Sequence, residues 1–170
     1  MILKELNKTD YASVRKRMEA AFPYEERRDE CDELRCFDFA EFHLVLLTEN
    51  GAEAGFSAFW EYGEFIFLEH LAVDESRRSS GIGTKFLKEL KKRGKAIILE
   101  AEPPQSDLSK RRIEFYRRNG FFVNGFEYMQ PSYHGGAGVP LCILSCPEAL
   151  TKAEFENFLQ ETRLTAYRNE

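Results

Sequence analysis

Histidine, cysteine and tryptophan are scarce in this chain of 170 residues: three, four and one, respectively. The cysteines fall as two pairs, Cys31/Cys36 and Cys142/Cys146, neither with the spacing of a zinc knuckle, and His43, His70 and His134 are scattered. That excludes a zinc centre readable from spacing, so no metal is expected, and it leaves reduced thiols as the default. No apolar run approaches the ~20 residues that cross a bilayer. The opening Met-Ile-Leu-Lys-Glu-Leu does not read as a secretory leader. A cytoplasmic protein with no membrane partner is expected. Internal repeats and low-complexity linkers are also missing, so residues 1–170 are expected to form a single domain, a length that buries roughly 70% of the unfolded surface.

What is present is bulk and charge. Apolar residues make up 43% and charged residues 31%, and 15 phenylalanines promise a crowded interior. The net charge of −5 hides an asymmetry: Arg77 to Arg118 carries 13 Lys/Arg against 5 Asp/Glu, and the rest of the chain is strongly acidic. A basic central third suits a polyanion, either nucleic acid or a phosphorylated cofactor; a solvated helix face is the plain alternative.

Residues Met1 to Leu6 read as a strand. Thr9 or Asp10 caps a helix with Tyr11, Val14, Met18, Ala21 and Phe22 on one face, ended by Pro23, and a charged helix follows over Glu25–Arg35. Phe42–Thr48 and Glu53–Tyr62 read as a hairpin about Asn50-Gly51. Phe65–Val73 is apolar on both faces except at Glu69 and His70, the pattern of a central strand. A helix from about Ser80 to Arg93, a strand at Ala96–Ala101, a basic helix from about Leu108 to Arg118, strands at Phe121–Tyr128 and Val139–Ser145, and a terminal helix capped by Thr151 and Glu154 complete a mixed α/β order.

The segment from Phe67 to Leu90, FLEHLAVDESRRSSGIGTKFLKEL, joins the central strand to a helix through Arg78-Ser79-Ser80-Gly81-Ile82-Gly83. Small residues let a ligand approach the backbone, and the first free N–H groups of the helix favour an anion such as a diphosphate. A Walker loop needs GxxxxGK[ST], and Gly-Ile-Gly-Thr-Lys is too short for it; a dinucleotide fingerprint needs a third glycine where Phe86 stands. The pattern [RQ]xxGxG after LAVDE is matched in full.

In this segment the chain resembles the GNAT superfamily of acetyl-CoA-dependent N-acetyltransferases. Ile113 to Phe122, IEFYRRNGFF, is similar to that family's tyrosine-bearing helix followed by the next strand. The resemblance implies an α/β GNAT fold: a central, mostly antiparallel sheet with one splayed parallel strand pair and helices on both faces. It implies acetyl-CoA as co-substrate, with the pantetheine arm on backbone at Leu71, Ala72 and Val73 and the pyrophosphate on Arg78, Ser79, Ser80, Gly81, Ile82, Gly83 and Thr84. Ser109 stands where many relatives carry an asparagine that touches the pantetheine arm.

Acyl transfer to an amine needs a base for the ammonium proton, donors for the oxyanion and an acid for the departing thiolate. A free backbone N–H at a strand bulge near Leu71 to Val73 suits the second role. Tyr116 is the candidate acid, with packing on the strands as its alternative. Glu69 is the leading base candidate because a carboxylate in an apolar strand must be paired or used; a substrate-amine anchor or an ion pair with a neighbouring cation is the other reading. His70, on the opposite face, reads as a core histidine, and Glu100 is an alternative base or amine clamp. Glu26, Trp60, Glu100 and Tyr133 are candidate acceptor-lining residues. The expected partner is a small-molecule or peptide amine, with transfer in a ternary complex. A non-catalytic CoA-sensing or nucleic-acid-binding module is the competing reading. Aromatic edge strands and the terminal helix leave a homodimer open.

Overall fold

The computed structural model describes residues 1–168. They divide into two compact units, Met1–Glu61 with Leu68–Gly94, and Tyr62–Phe67 with residues 95–168.

The first unit opens with β1 (Ile2–Leu6) and a 3-10 turn at Lys8–Asp10. Asn7 caps that turn, accepting from the backbone of Thr9 and Asp10, whereas Thr9 or Asp10 is the expected cap. Helix α1 (Ala12–Ala21) buries Val14 and Met18. The expected second helix over Glu25–Arg35 is shorter: a 3-10 turn at Tyr24–Glu26, extended backbone at Arg27 and Asp29, and then α2 (Glu30–Cys36). The interruption coincides with Arg28, whose side chain is turned inward to buried carboxylates.

Strands β2 (Phe42–Glu49) and β3 (Ala52–Glu61) form the expected hairpin, Phe42 opposite Trp60, with a register shift between Leu47 and Thr48. Asn50 and Gly51 both take positive φ, 53° and 77°, as a two-residue turn requires. β1 adds antiparallel to β2, Ile2 opposite Thr48. β4 (Phe65–Val73) is buried from Phe65 to Leu68 and at His70, and half-buried from Leu71 to Val73. Helix α3 (Ile82–Lys91) presents Ile82, Phe86, Leu87 and Leu90 inward and its lysines outward. Aromatic contacts fill this unit, Phe42 against Trp60 at 5.0 Å and Phe22 against Phe56 at 6.3 Å among them.

The second unit takes the first three residues of β4 and continues with β5 (Ala96–Ala101) and α4 (Asp107–Arg118). The expected strand over Phe121–Tyr128 shrinks to β6 (Phe122–Val123). At its end the Asn124 side chain donates to the Ile143 carbonyl and Ser145 hydroxyl and accepts from Leu150 N–H, which takes the chain out of the sheet. A short β7 (Met129–Gln130) follows, and the expected strand over Val139–Ser145 is two: β8 (Val139–Pro140), which pairs with β7 apart from the main sheet, and β9 (Cys142–Cys146), which joins the main sheet. Pro140 has no N–H to continue a ladder. β9 lies antiparallel to β5, Ile97 opposite Cys146, and to β6. Helix α5 (Lys152–Leu164) starts at the expected Thr151–Glu154 capping box. Its Phe158 meets Phe65, Phe67, Tyr128 and Phe155 at centroid distances of 5.4–6.4 Å and centres this unit's core.

The main sheet has the order β1-β2-β3-β4-β5-β9-β6, antiparallel throughout except for the parallel pair β4 and β5. This is the mixed α/β arrangement expected from the motifs. Among the described residues no helix is long and apolar enough to cross a membrane.

Candidate active site

In the first unit the loop between β4 and α3 carries the phosphate motif. A 3-10 turn at Glu75–Arg77 leads into Ser79 at φ 62° and Gly81 at φ 81°, two left-handed residues flanking Ser80. Gly81 is the N-cap of α3, and no side chain caps that helix. The leading N–H groups, on Ile82, Gly83 and Thr84, are those a helix leaves without intrahelical acceptors. A Cβ built on Gly81 meets nothing within 4 Å, so the space before the helix is open. Arg78 is largely exposed beside it, its guanidinium 4.0 Å from Glu75. A cavity of about 390 Å³ lies against the same turn, lined by Asn50, Ser76, Arg77, Ser80, Ile82 and the Lys85–Glu49 ion pair. Hydrogen bonds from Lys85 and then from the chain's N-terminus hold the Glu49 carboxyl below its ordinary range. An uncapped helix start, open backbone and three basic residues fit a diphosphate.

The β4 strand is held close to β3 at the same end. Ser57 Oγ donates to the His70 carbonyl at 2.7 Å, and Asp74 N–H to the Ala54 carbonyl at 2.9 Å. A Cβ on Gly55 would lie 2.1 Å from the Ala72 carbonyl oxygen, so only glycine permits this approach.

Glu69 is deeply placed, its side chain 2% exposed. Arg28 Nη2 donates to Oε1 at 2.6 Å and Trp60 Nε1 to Oε2 at 2.9 Å. The same guanidinium reaches Glu33 at 3.2 Å and lies over the Trp60 ring at 5.9 Å. Glu69 is thus ion-paired with Arg28. Trp60 has no accessible surface, so it does not line an open pocket as expected. His70 is buried: Nε2 pairs with the Glu26 carbonyl at 2.9 Å, the ring packs on Phe22 at 4.5 Å, and Nδ1 is buried without a hydrogen bond. Glu26 itself is half-buried, tied to β4 through that backbone carbonyl.

In the second unit Tyr116 sits on α4 between Phe115 and Phe121, ring centroids 5.1 and 5.4 Å away. Its hydroxyl makes no hydrogen bond to any described residue, and burial pushes the phenol up to about 12 against a small opposing pull from Arg112. Ser109 is 2% exposed, and its hydroxyl closes the α4 capping box, accepting from Ser106 N–H at 3.0 Å and donating to the Ser106 carbonyl at 3.1 Å. The hydroxyl thereby takes part in the helix cap.

Glu100, half-buried near the end of β5, accepts from Tyr128 Oη on Oε1, and from Gln130 Nε2 (2.7 Å) and Tyr167 Oη (2.5 Å) on Oε2. Burial and then the Glu100 charge drive the Tyr128 phenol far above its ordinary range. Tyr133 packs on Tyr167, centroids 5.5 Å apart. Arg28 and Tyr167 escaped the sequence reading. An acid in the run Phe65–Val73 calls for a buried partner, but does not tell which of the neighbouring Arg27 and Arg28 supplies it. Nothing in Arg163-Leu-Thr-Ala-Tyr167 marks the tyrosine. All four cysteines are free thiols, and among the described residues no group of three or more metal-binding side chains is assembled.

Residues 40–122 match the family model described as the acetyltransferase (GNAT) domain. A GNAT-family protein from Bacteroides thetaiotaomicron is 26% identical over the whole of both chains, with a TM-score of 0.89. An aminoglycoside 6'-N-acetyltransferase complexed with coenzyme A shares the fold at a TM-score of 0.57, 22% identity and coverage of 85% of this chain and 96% of that one. The acetyltransferase-like protein YjbC of Bacillus subtilis is 40% identical over 65 residues, 37% of this chain and 34% of that protein, so the match spans about a third of that relative. The phosphate motif, the sheet order and these likenesses agree: residues 40–122 are a GNAT acetyltransferase domain.

Proposed function

We propose that this protein transfers an acetyl group from acetyl-CoA to a primary amine of a small molecule or peptide, directly and within a ternary complex. The observation that carries the reading is the uncapped start of α3, opened by left-handed Ser79 and Gly81. Backbone N–H groups of Ile82, Gly83 and Thr84 hold the diphosphate, Arg78 adds charge, and Ser79 and Ser80 complete the turn. Backbone at Leu71, Ala72 and Val73, where β4 is half-buried, takes the pantetheine arm. Bound acetyl-CoA supplies an activated acyl thioester.

The chain's own groups then manage protons. Tyr116 Oη is protonated throughout the neutral range and free of protein hydrogen bonds, the state required of an acid that protonates a departing thiolate. The carboxylates of Glu69 and Glu100 are the two candidates to receive the ammonium proton. Glu69 accepts from Arg28 and Trp60, and Glu100 accepts from Tyr128, Gln130 and Tyr167. The coenzyme A complex of the aminoglycoside enzyme supports the choice of donor.

Titration calorimetry with coenzyme A, on wild type and Gly81→Asp, tests the cradle. Wild type binds, and the variant, whose added carboxylate points into open space before the helix, loses at least tenfold in affinity. Equal affinities overturn the pyrophosphate assignment. A panel of primary amines, read out as free thiol released from acetyl-CoA, identifies the acceptor; thiol release that never depends on an amine overturns the transfer.

A further inference from the structure

The cavity of about 390 Å³ in the first unit falls within the size of small-ligand clefts, roughly 300–1,000 Å³. Of the residues proposed for the diphosphate, Arg78 to Thr84, only Ser80 and Ile82 line it; its remaining walls are Glu49, Asn50, Ser76, Arg77 and Lys85. Cavity and cradle are therefore neighbours on one turn, with different side chains.

Arg77 sets the chemistry of this cavity. Arg15 and Arg17, half-buried in the same unit, each hold an acid: Arg15 lies 3.0 Å from Glu19, and Arg17 lies 2.7 Å from Glu53. Arg77 is half-buried too, yet its guanidinium has no ion pair or hydrogen bond with any described residue. Glu49 is the carboxylate on the cavity wall, and Lys85 takes it, so it does not serve as the counter-charge of Arg77. The side chains of Asn50 and Ser76 likewise make no hydrogen bond to a described residue, and both can donate.

A partly desolvated guanidinium without a counter-charge, beside unspent donors and open volume, is a receptor for an anion. Arginine's planar fork suits the paired oxygens of a phosphate. We infer that this cavity binds a phosphate monoester, held by Arg77 with Asn50 and Ser76 as further donors. The site goes beyond the diphosphate cradle and stands whether or not the transfer reading does.

The probe is inorganic phosphate, titrated into the full chain at neutral pH and fixed ionic strength with chloride as the supporting salt, and followed by amide NMR shifts. Wild type binds it saturably. Arg77→Gln weakens binding at least fivefold, and Arg77→Lys, which keeps the charge without the fork, falls between the two. Glu49→Gln removes the wall carboxylate and releases Lys85, so it strengthens binding about threefold, a gain that a merely structural ion pair would not give. Gly81→Asp, aimed at the cradle, stays within threefold of wild type. No saturable binding, a loss of less than fivefold in Arg77→Gln, or a larger loss in Gly81→Asp, which would put the phosphate at the start of α3, overturns the inference.

Coenzyme A and its 3′-dephospho form separate two sources of the ester. A tenfold advantage of coenzyme A that disappears in Arg77→Gln identifies the donor's own phosphate as the occupant. Equal affinities, with inorganic phosphate still binding at saturating dephospho-coenzyme A, identify a separate phosphorylated molecule. Failure of both cofactors to bind overturns the transfer reading instead, and leaves the phosphate titration to be judged on its own.

Discussion

Arg28 Nη2 lies 2.6 Å from Glu69 Oε1, so a loop arginine outside every helix is anchored to an otherwise apolar strand. One guanidinium serves two buried carboxylates, Glu33 and Glu69, and its plane lies over Trp60. Removing it strands both acids in the interior, the situation in which a broken buried pair costs most. Arg28→Ala should therefore destabilise the protein by about 3–5 kcal/mol. Urea denaturation should show a lowered midpoint at constant slope. A loss below about 1 kcal/mol, the range of exposed ion pairs, would mean that water reaches these acids.

Gly55 supports the same strand from the other side. Alanine there would set its Cβ 2.1 Å from the Ala72 carbonyl oxygen and 3.0 Å from Val73 Cα, both backbone atoms that cannot swing aside. Overpacking costs about 1–3 kcal/mol where side chains can adjust. Gly55→Ala should exceed that range, or push Ala72 and Val73 out of place. In the second case coenzyme A affinity falls while the thermal midpoint holds. A variant with wild-type stability and affinity would contradict the close approach.

Much of this was legible in the sequence, for reasons that differ by residue. The β2–β3 hairpin followed from Asn50-Gly51, the α5 start from Thr151 and Glu154, and the phosphate loop from its glycines, because each is a local rule acting over a few residues. The strand that was expected to run to Tyr128 stops at Val123 because Asn124 bonds to Ile143, Ser145 and Leu150, 19 to 26 residues away. Ser109 is placed at the cofactor by analogy of position alone, and that analogy does not reveal that Ser106, three residues before it, engages its hydroxyl in the α4 cap. Glu69 was recognised as needing a partner or a task. Its partner comes from a fold contact spanning 41 residues, and no short-range pattern encodes that.

Tyr11 gives the first unit a pH dependence. Its phenol is pushed up to about 12, first by burial and then by the Glu33 charge. The unfolded phenol titrates near 10. The raised native value therefore contributes stability that is fully present below pH 10 and is lost as pH rises through 12. Wild-type stability should decline across pH 10–12, with about 1–3 kcal/mol of the loss from this group. Tyr128 and Tyr116 are raised as well, so the comparison must be with Tyr11→Phe. That variant should decline less steeply over the same window. Parallel curves would show that Tyr11 ionises as readily in the folded chain as in the unfolded one.

Tyr116 is the sharpest test of the chemistry, because its packing and its hydroxyl separate cleanly. The ring contacts with Phe115 and Phe121 survive in Tyr116→Phe, and the hydroxyl has no protein hydrogen bond to lose. Stability and coenzyme A affinity should stay near wild type. Turnover of whichever amine the panel identifies should fall by about 10²–10⁴, the usual worth of a positioned acid. With the phenol pushed up to about 12, the donor stays protonated from pH 6 to 9, so the wild-type kcat profile should have no falling limb from this group there. Loss of the hydroxyl should change the height of that profile and leave its shape. If turnover instead stays within twofold of wild type, the thiolate leaves without help from Tyr116, and bulk water or another donor protonates it.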